Sequence, residues 1–149
     1  MRRRRTGKLC VLMTQRVIYA TKYDFDRLTE LIKSRAHHAK DADRLQQLGA
    51  ELGRASIVWP VDVPADVVTM NSRVRLTDLD DGGEVTYTLV FPDDANIDEN
   101  KISVLAPIGT AILGYRAGET VQWEVPAGTR RLRIDGVLYQ PEAAGHFHL

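Results

Sequence analysis

The chain has 149 residues, of which 44% are hydrophobic and 27% are charged. These proportions are typical of one soluble globular domain, and they exclude a disordered chain, a collagen-like chain and a disulfide scaffold. The net charge of zero hides a division, because residues 1–60 hold 13 Lys and Arg against 6 Asp and Glu, and residues 61–149 hold 7 against 14.

The chain contains no apolar run of the roughly 18 residues that a membrane span needs. The longest apolar run near the N-terminus, residues 9–13, is also too short for the core of a signal peptide. Cys10 is the single cysteine and has no internal disulfide partner. We therefore expect a protein of the reducing cytoplasm that makes no contact with membranes.

Residues 1–14 are predicted to be a basic N-terminal tail that includes Arg2 to Arg5. Three interpretations stay open for this tail. It is an overlong or frayed start, a basic arm for nucleic acid, or a segment with an ordered strand over residues 9–12.

Residues 15–56 are predicted to form a helical hairpin. A first helix over residues 24–38 has apolar side chains at helical spacing, and Thr21 or Asp24 can cap its N-terminus. A second helix over residues 41–55 repeats leucines on one face. The short link between them makes the helices antiparallel neighbours, and arms of about 14 residues project roughly 21 Å.

Residues 57–65 are predicted to be a linker, because two prolines in five residues stop a helix and favour extended backbone. Residues 66–149 are predicted to form a β domain. Alternating patterns predict strands over residues 73–77, 84–91, 121–125 and 129–140, with a glycine turn at residues 80–83 and a possible bulge at Gly136. A short helix over residues 106–114 starts with Pro107. The expected fold class is α+β: a short N-terminal antiparallel coiled coil, then an antiparallel sheet with a short helix.

Few residues carry a pattern typical of catalysis or of metal binding. His37 and His38 point about 100° apart on a helix, Cys10 has no nearby base, and no phosphate-binding loop occurs. Asp41 is interpreted as the cap of the second helix and Asp43 as a favourable charge at the N-terminal end of its dipole, with a divalent cation held by both as the alternative. We therefore expect no catalytic residue, no metal and no cofactor.

The segment Lys101-Ile102-Ser103-Val104-Leu105-Ala106-Pro107-Ile108-Gly109-Thr110-Ala111-Ile112-Leu113-Gly114 resembles the C-terminal domain of the GreA/GreB transcription elongation factors. Residues 66–74 and 139–145 resemble a narrower family, the Rnk regulators of nucleoside diphosphate kinase. The resemblance covers about residues 15–149.

This resemblance implies a coiled-coil hairpin joined to an FKBP-like domain that binds RNA polymerase at the rim of its secondary channel. The implied polymerase-binding residues are Asp94, Asn96, Asp98, Ser103, Ala106, Pro107 and Ile108. The implied hairpin tip contains His38, Lys40, Asp41 and Asp43.

Two departures from the Gre pattern lead us to expect a binder without transcript cleavage. The Gre tip is D-x-x-E-N, whereas Arg44 stands here where the second acid belongs, and the hairpin is short. A separate departure concerns docking and not cleavage: Asn96 stands where the Gre pattern has an acid, so the docking contacts are expected to differ in detail. The alternatives are a cleavage factor that uses Asp41 and Asp43, an FKBP-like peptidyl-prolyl isomerase and a regulator that contacts nucleoside diphosphate kinase directly. Direct DNA binding is disfavoured by the acidic second part, so nucleic acid would be contacted through the polymerase.

Overall fold

The structure is a computed structural model that describes residues 18–36, 42–125, 128–147 and 149, with only the backbone of residues 123–125. It begins with strand β1 (Tyr19–Thr21), helix α1 (Lys22–Ser34) and helix α2 (Ala42–Gly53). Thr21 caps α1, because its Oγ1 accepts a hydrogen bond from the Asp24 N–H at 3.0 Å. The two helices are therefore present as predicted, with ends that differ by one to four residues; the predicted cap Asp41 lies outside the described residues.

Strand β2 (Ser56–Val58) follows α2 and runs parallel to β1. A 3-10 helix (Pro60–Asp62) comes next. The first two residues of the predicted linker therefore belong to a strand that is paired with β1. The pairing aligns Tyr19 with Ser56 and Thr21 with Val58, so the two ends of the hairpin are held side by side. The boundaries of the predicted linker and domains otherwise stay predictions.

The second part of the chain is a five-stranded sheet in the order β5-β4-β3-β7-β6. Its strands are β3 (Arg73–Asp78), β4 (Glu84–Val90), β5 (Lys101–Ser103), β6 (Thr120–Val125) and β7 (Gly128–Tyr139), and helix α3 (Pro107–Ile112) lies between β5 and β6. The α+β class is confirmed, and so is the short helix that begins at Pro107.

One strand pair corrects the prediction of an antiparallel sheet, since β5 runs parallel to β4. The chain between them makes 3-10 turns at Pro92–Asp94 and Ile97–Glu99, and Asn100 adopts a left-handed backbone with φ of 57°. These turns carry the chain back by only a few residues, so that β5 begins opposite Thr88 and pairs with the last three residues of β4. The predicted bulge also occurs, because Arg75 pairs with Gly136 and Leu76 with Ile134, which leaves Asp135 as the extra residue.

The hairpin and the sheet share one hydrophobic core. Leu28 of α1 and Leu48 of α2 are fully buried in the same cluster as Leu76 of β3 and Ile134 of β7. Polar contacts reinforce this packing, since Arg54 Nη2 donates to Tyr115 Oη at 2.6 Å. The hairpin therefore packs its apolar face against the domain.

None of the helices in the described residues has the length and apolar character that a membrane span requires.

Candidate functional site

The segment from Ser103 to α3 forms a surface turn held by its own hydrogen bonds. Ser103 Oγ accepts from the Leu105 N–H, and the Ser103 carbonyl accepts from the Ala106 N–H, both at 3.0 Å. Pro107 then starts α3. The N–H of the first helical residue has no partner within the helix, so a proline there costs no hydrogen bond. Pro107 is exposed, whereas Ser103, Ala106 and Ile108 are half-buried. The turn therefore presents Pro107 to solvent on a fixed backbone.

Two buried residues beneath the turn, which the sequence prediction left out, fix its position. Thr110 Oγ1 donates to the Val104 carbonyl at 2.6 Å. Gly109 lies so close to β5 that a Cβ atom there would stand 2.3 Å from the Ser103 carbonyl oxygen. Only glycine permits this approach of helix to strand. The small residues at positions 109–111 are the one sequence signal that could have shown this close contact.

The predicted acidic contacts lie on the turns that precede β5. Asn96 Oδ1 accepts from the Asp98 N–H at 3.0 Å, and the Asn96 backbone exchanges two 2.9 Å hydrogen bonds with Lys101. The amide of Asn96 therefore caps a turn. Asp94, Asn96 and Asp98 are all exposed.

The predicted polymerase-binding residues lie along edge strand β5 and do not form one cluster. Asn96 and Asp98 are placed at the start of β5, while Ser103 ends it and Ala106 to Ile108 follow. Asp94 follows β4 and lines a pocket with Thr88, Val90 and Lys101. Val90 pairs with Ser103 in parallel register, so the segments after β4 and after β5 leave the same edge of the sheet.

Helix α2 contributes to the surroundings of Pro107. Asp43, in the first turn of α2, lines a groove together with Gln47, Pro107 and Thr110. His38, Lys40 and Asp41 of the predicted hairpin tip lie outside the described residues. Within the described part of the chain, no three His, Cys, Asp or Glu side chains are grouped to hold a metal ion.

A buried carboxylate joins the hairpin to the domain. Asp24 is 1% exposed; its Oδ1 accepts from Arg27 Nη2 at 2.5 Å and its Oδ2 from the Met70 N–H at 3.0 Å. Burial raises the pKa of Asp24 in spite of these hydrogen bonds. Burial likewise raises the pKa of Glu142, whose Oε1 accepts from Thr69 Oγ1 at 2.7 Å. The sequence predicted only a possible capping role for Asp24.

These features are those of an exposed surface that is held in a fixed shape. The described residues offer a rigid turn with an exposed proline, an adjacent groove and an acidic loop, and buried Asp24 joins α1 to the chain before β3. An arrangement of this kind is able to bind a protein through shape and charge.

Comparison with known proteins matches two family models to consecutive parts of the chain. Residues 16–58 match the Rnk N-terminus, and residues 63–139 match "Transcription elongation factor, GreA/GreB, C-term". The chain is 38% identical over 138 residues to "Regulator of nucleoside diphosphate kinase" of Escherichia coli strain K12, which covers 92% of this chain and all of that protein.

The chain is also similar to curated elongation factors and to a solved structure of this kind. Transcription elongation factor GreA of Syntrophotalea carbinolica is 34% identical over 96 residues, which are 64% of this chain and 61% of that protein. The structure of "Prokaryotic transcription elongation factor GreA/GreB from Nitrosomonas europaea" superposes with a TM-score of 0.69 at 39% identity, over 82% of this chain and 99% of that one. The chain therefore belongs to the GreA/GreB family of transcription elongation factors, among the members that carry the Rnk N-terminus.

Proposed function

We propose that this protein binds RNA polymerase at the rim of the secondary channel and regulates transcription without stimulating transcript cleavage. The observation that carries the proposal is the exposed Pro107 on its fixed turn. Membership in the GreA/GreB family supports the choice of partner, because the matched C-terminal model includes the whole turn.

The rigidity of the turn favours binding. Gly109 and Thr110 hold α3 against the strand, so Pro107 needs no reordering when a partner arrives. A surface that is ordered before contact loses less conformational entropy on association, and a larger part of its contact energy appears as affinity.

The helices support the absence of cleavage. Helices α1 and α2 have 13 and 12 residues, which correspond to roughly 18–20 Å, and their leucine faces pack on the domain. Arg44 is exposed in the first turn of α2, where the Gre tip carries its second acid. Metal-assisted cleavage needs carboxylates within a few ångströms of the reacting phosphate, and this hairpin lacks both the reach and one carboxylate.

Competition with a Gre factor tests the proposal. The protein is titrated into RNA polymerase core that holds a fluorescently labelled Gre factor, and we expect it to displace the label. We expect Pro107→Arg to raise the half-displacing concentration by about tenfold or more, which corresponds to about 1.4 kcal/mol.

The control is Pro60→Arg, which makes the same change at the first residue of another short helix. It should displace the label as the unchanged protein does. Failure of the unchanged protein to displace the Gre factor contradicts the proposal, and equal displacement by folded Pro107→Arg contradicts the role of the turn.

Direct contact with nucleoside diphosphate kinase is the second candidate. Its support is the name of the relative that matches over its full length, "Regulator of nucleoside diphosphate kinase". A pull-down of purified kinase with the unchanged protein and with Pro107→Arg separates the two functions. Capture of the kinase by both proteins, with no polymerase bound by either, would favour this candidate.

A further inference from the structure

An open groove of about 690 Å³ lies between helix α1 and the segment Phe91–Asp94. Leu31, Phe91 and Pro92 form its apolar part, and four carboxylates stand around it: Asp26, Glu30, Asp93 and Asp94. We call it the α1 groove.

The charges of the α1 groove do not cancel. Asp26 pairs with Lys22 at 2.7 Å and Asp93 with Arg35 at 3.6 Å, but within the described residues Glu30 and Asp94 form no ion pair. The rim of the groove is therefore negative.

The cation inside the groove, Arg27, already has partners within the protein. The Arg27 guanidinium lies 3.9 Å from the centre of the Tyr23 ring and 4.8 Å from that of Phe91, and its Nη2 donates to buried Asp24. Asp24 neutralises this charge, so it does not offset the carboxylates at the rim.

The α1 groove adjoins the turn that carries Pro107. Phe91–Asp94 follows β4 and Val104–Pro107 follows β5, and these parallel strands end side by side at Val90 and Ser103. The Val104 N–H also donates to the Val90 carbonyl at 2.9 Å. A partner that covers the turn is thereby brought close to the acidic rim.

We propose that the α1 groove is a second half of the docking surface and binds a basic segment of RNA polymerase. The segment places an apolar side chain against Leu31 and Phe91 and sets Lys or Arg side chains against Glu30 and Asp94. Opposite charges at such a rim accelerate association and exclude acidic partners. This inference rests on the proposed function, because it concerns the same partner.

The test compares two double charge reversals. Glu30→Lys with Asp94→Lys reverses the charge of the two rim carboxylates that form no ion pair with a described residue. Asp62→Lys with Glu84→Lys makes the same change in net charge at exposed carboxylates that do not line it. Both proteins are checked for native melting and titrated against polymerase core that holds a labelled Gre factor. We expect the groove variant to need about tenfold more protein for half displacement at low salt, and the control less than twofold more.

A crosslinker identifies the occupant. p-Benzoylphenylalanine in place of Ser34, which lines the α1 groove, should attach to a polymerase peptide rich in Lys and Arg. Attachment to an acidic peptide, or to the protein's own Arg2–Arg5 segment, would overturn the inference.

The outcomes separate this inference from the proposed function. Equal displacement by the groove variant and its control overturns the inference alone, provided that the unchanged protein displaces the Gre factor. If the unchanged protein does not displace the Gre factor, both fall.

Discussion

The carboxylate of Asp24 accepts a hydrogen bond from the Met70 backbone N–H at 3.0 Å, across 46 residues of chain. Asp24 lies in the first turn of α1, and Met70 is a fully buried residue just before β3. The same carboxylate also accepts from Arg27. One buried side chain therefore fixes the base of the hairpin relative to the sheet, and with it the wall of the α1 groove.

Asp24→Asn should destabilise the protein by about 1–3 kcal/mol, because an amide cannot accept at both of its atoms and leaves a buried donor unmatched. Urea unfolding followed by circular dichroism measures this loss. The control is Asp26→Asn, which removes an exposed carboxylate paired with Lys22 and should cost less than about 1 kcal/mol. Equal stability of the two variants would mean that the buried hydrogen bonds do not stabilise the junction.

Glu142→Gln should change the pH dependence of stability. Burial raises the pKa of Glu142 above its ordinary value of 4.5 in the folded state, so the folded protein holds this proton more tightly than the unfolded chain. The stability that this tighter proton binding contributes is complete below pH 4.5 and is lost as the pH rises through the raised pKa of Glu142. Glutamine still accepts from Thr69 but does not ionise. As the pH rises, the unfolding free energy of the unchanged protein should therefore fall relative to that of the variant.

Denaturant unfolding at several pH values between about 4 and 7 measures this difference. Glu84→Gln is the control, because it makes the same chemical change at an exposed carboxyl at the start of β4. A flat difference for Glu142→Gln would contradict the raised pKa.

Much of the fold could be predicted from side-chain periodicity. Leucines at helical spacing indicate the inner face of α2, and alternation indicates β3 and β4, because each pattern reports which face is buried. Pro107 predicts the start of α3 for a local reason, its fixed φ.

What could not be predicted depends on contacts between distant residues. Strands β1, β2 and β5 have three residues each, too few to show a period, and no local pattern identifies the strand with which each of them pairs. Asp24 is a residue type that commonly caps helices at the surface, and only the fold brings the Met70 N–H within hydrogen-bond distance of it. The candidate site divides in the same way: the family resemblance implies Pro107 as a contact residue, whereas buried Gly109 becomes significant only when β5 is in place beside it.

Gly109→Ala should destabilise the protein by about 1–3 kcal/mol, because the new Cβ would stand 2.3 Å from the Ser103 carbonyl and push α3 away from β5. The displaced turn should also weaken displacement of a Gre factor from polymerase at temperatures where the variant is folded. Thermal unfolding and the competition titration measure the two effects. The matched control is Gly49→Ala inside α2, where the Cβ meets Ile32 at an ordinary 3.8 Å and alanine should stabilise the helix by about 0.5–1 kcal/mol. A Gly109→Ala protein of unchanged stability would show that the close approach is not needed.

Arg44→Glu tests whether the hairpin lacks only a carboxylate or also the reach for transcript cleavage. With halted transcription complexes and Mg²⁺, we expect the unchanged protein and Arg44→Glu both to leave the transcript at its background cleavage rate, while a Gre factor shortens it. Helices of 13 and 12 residues extend roughly 18–20 Å, and their inner faces are already packed on the domain, so an added acid still lies far from the reacting phosphate. The competition titration serves as the control, because Arg44→Glu must still displace the Gre factor for the result to count. Cleavage by Arg44→Glu would mean that reach is sufficient and that the side chain at position 44 alone separates this protein from a cleavage factor.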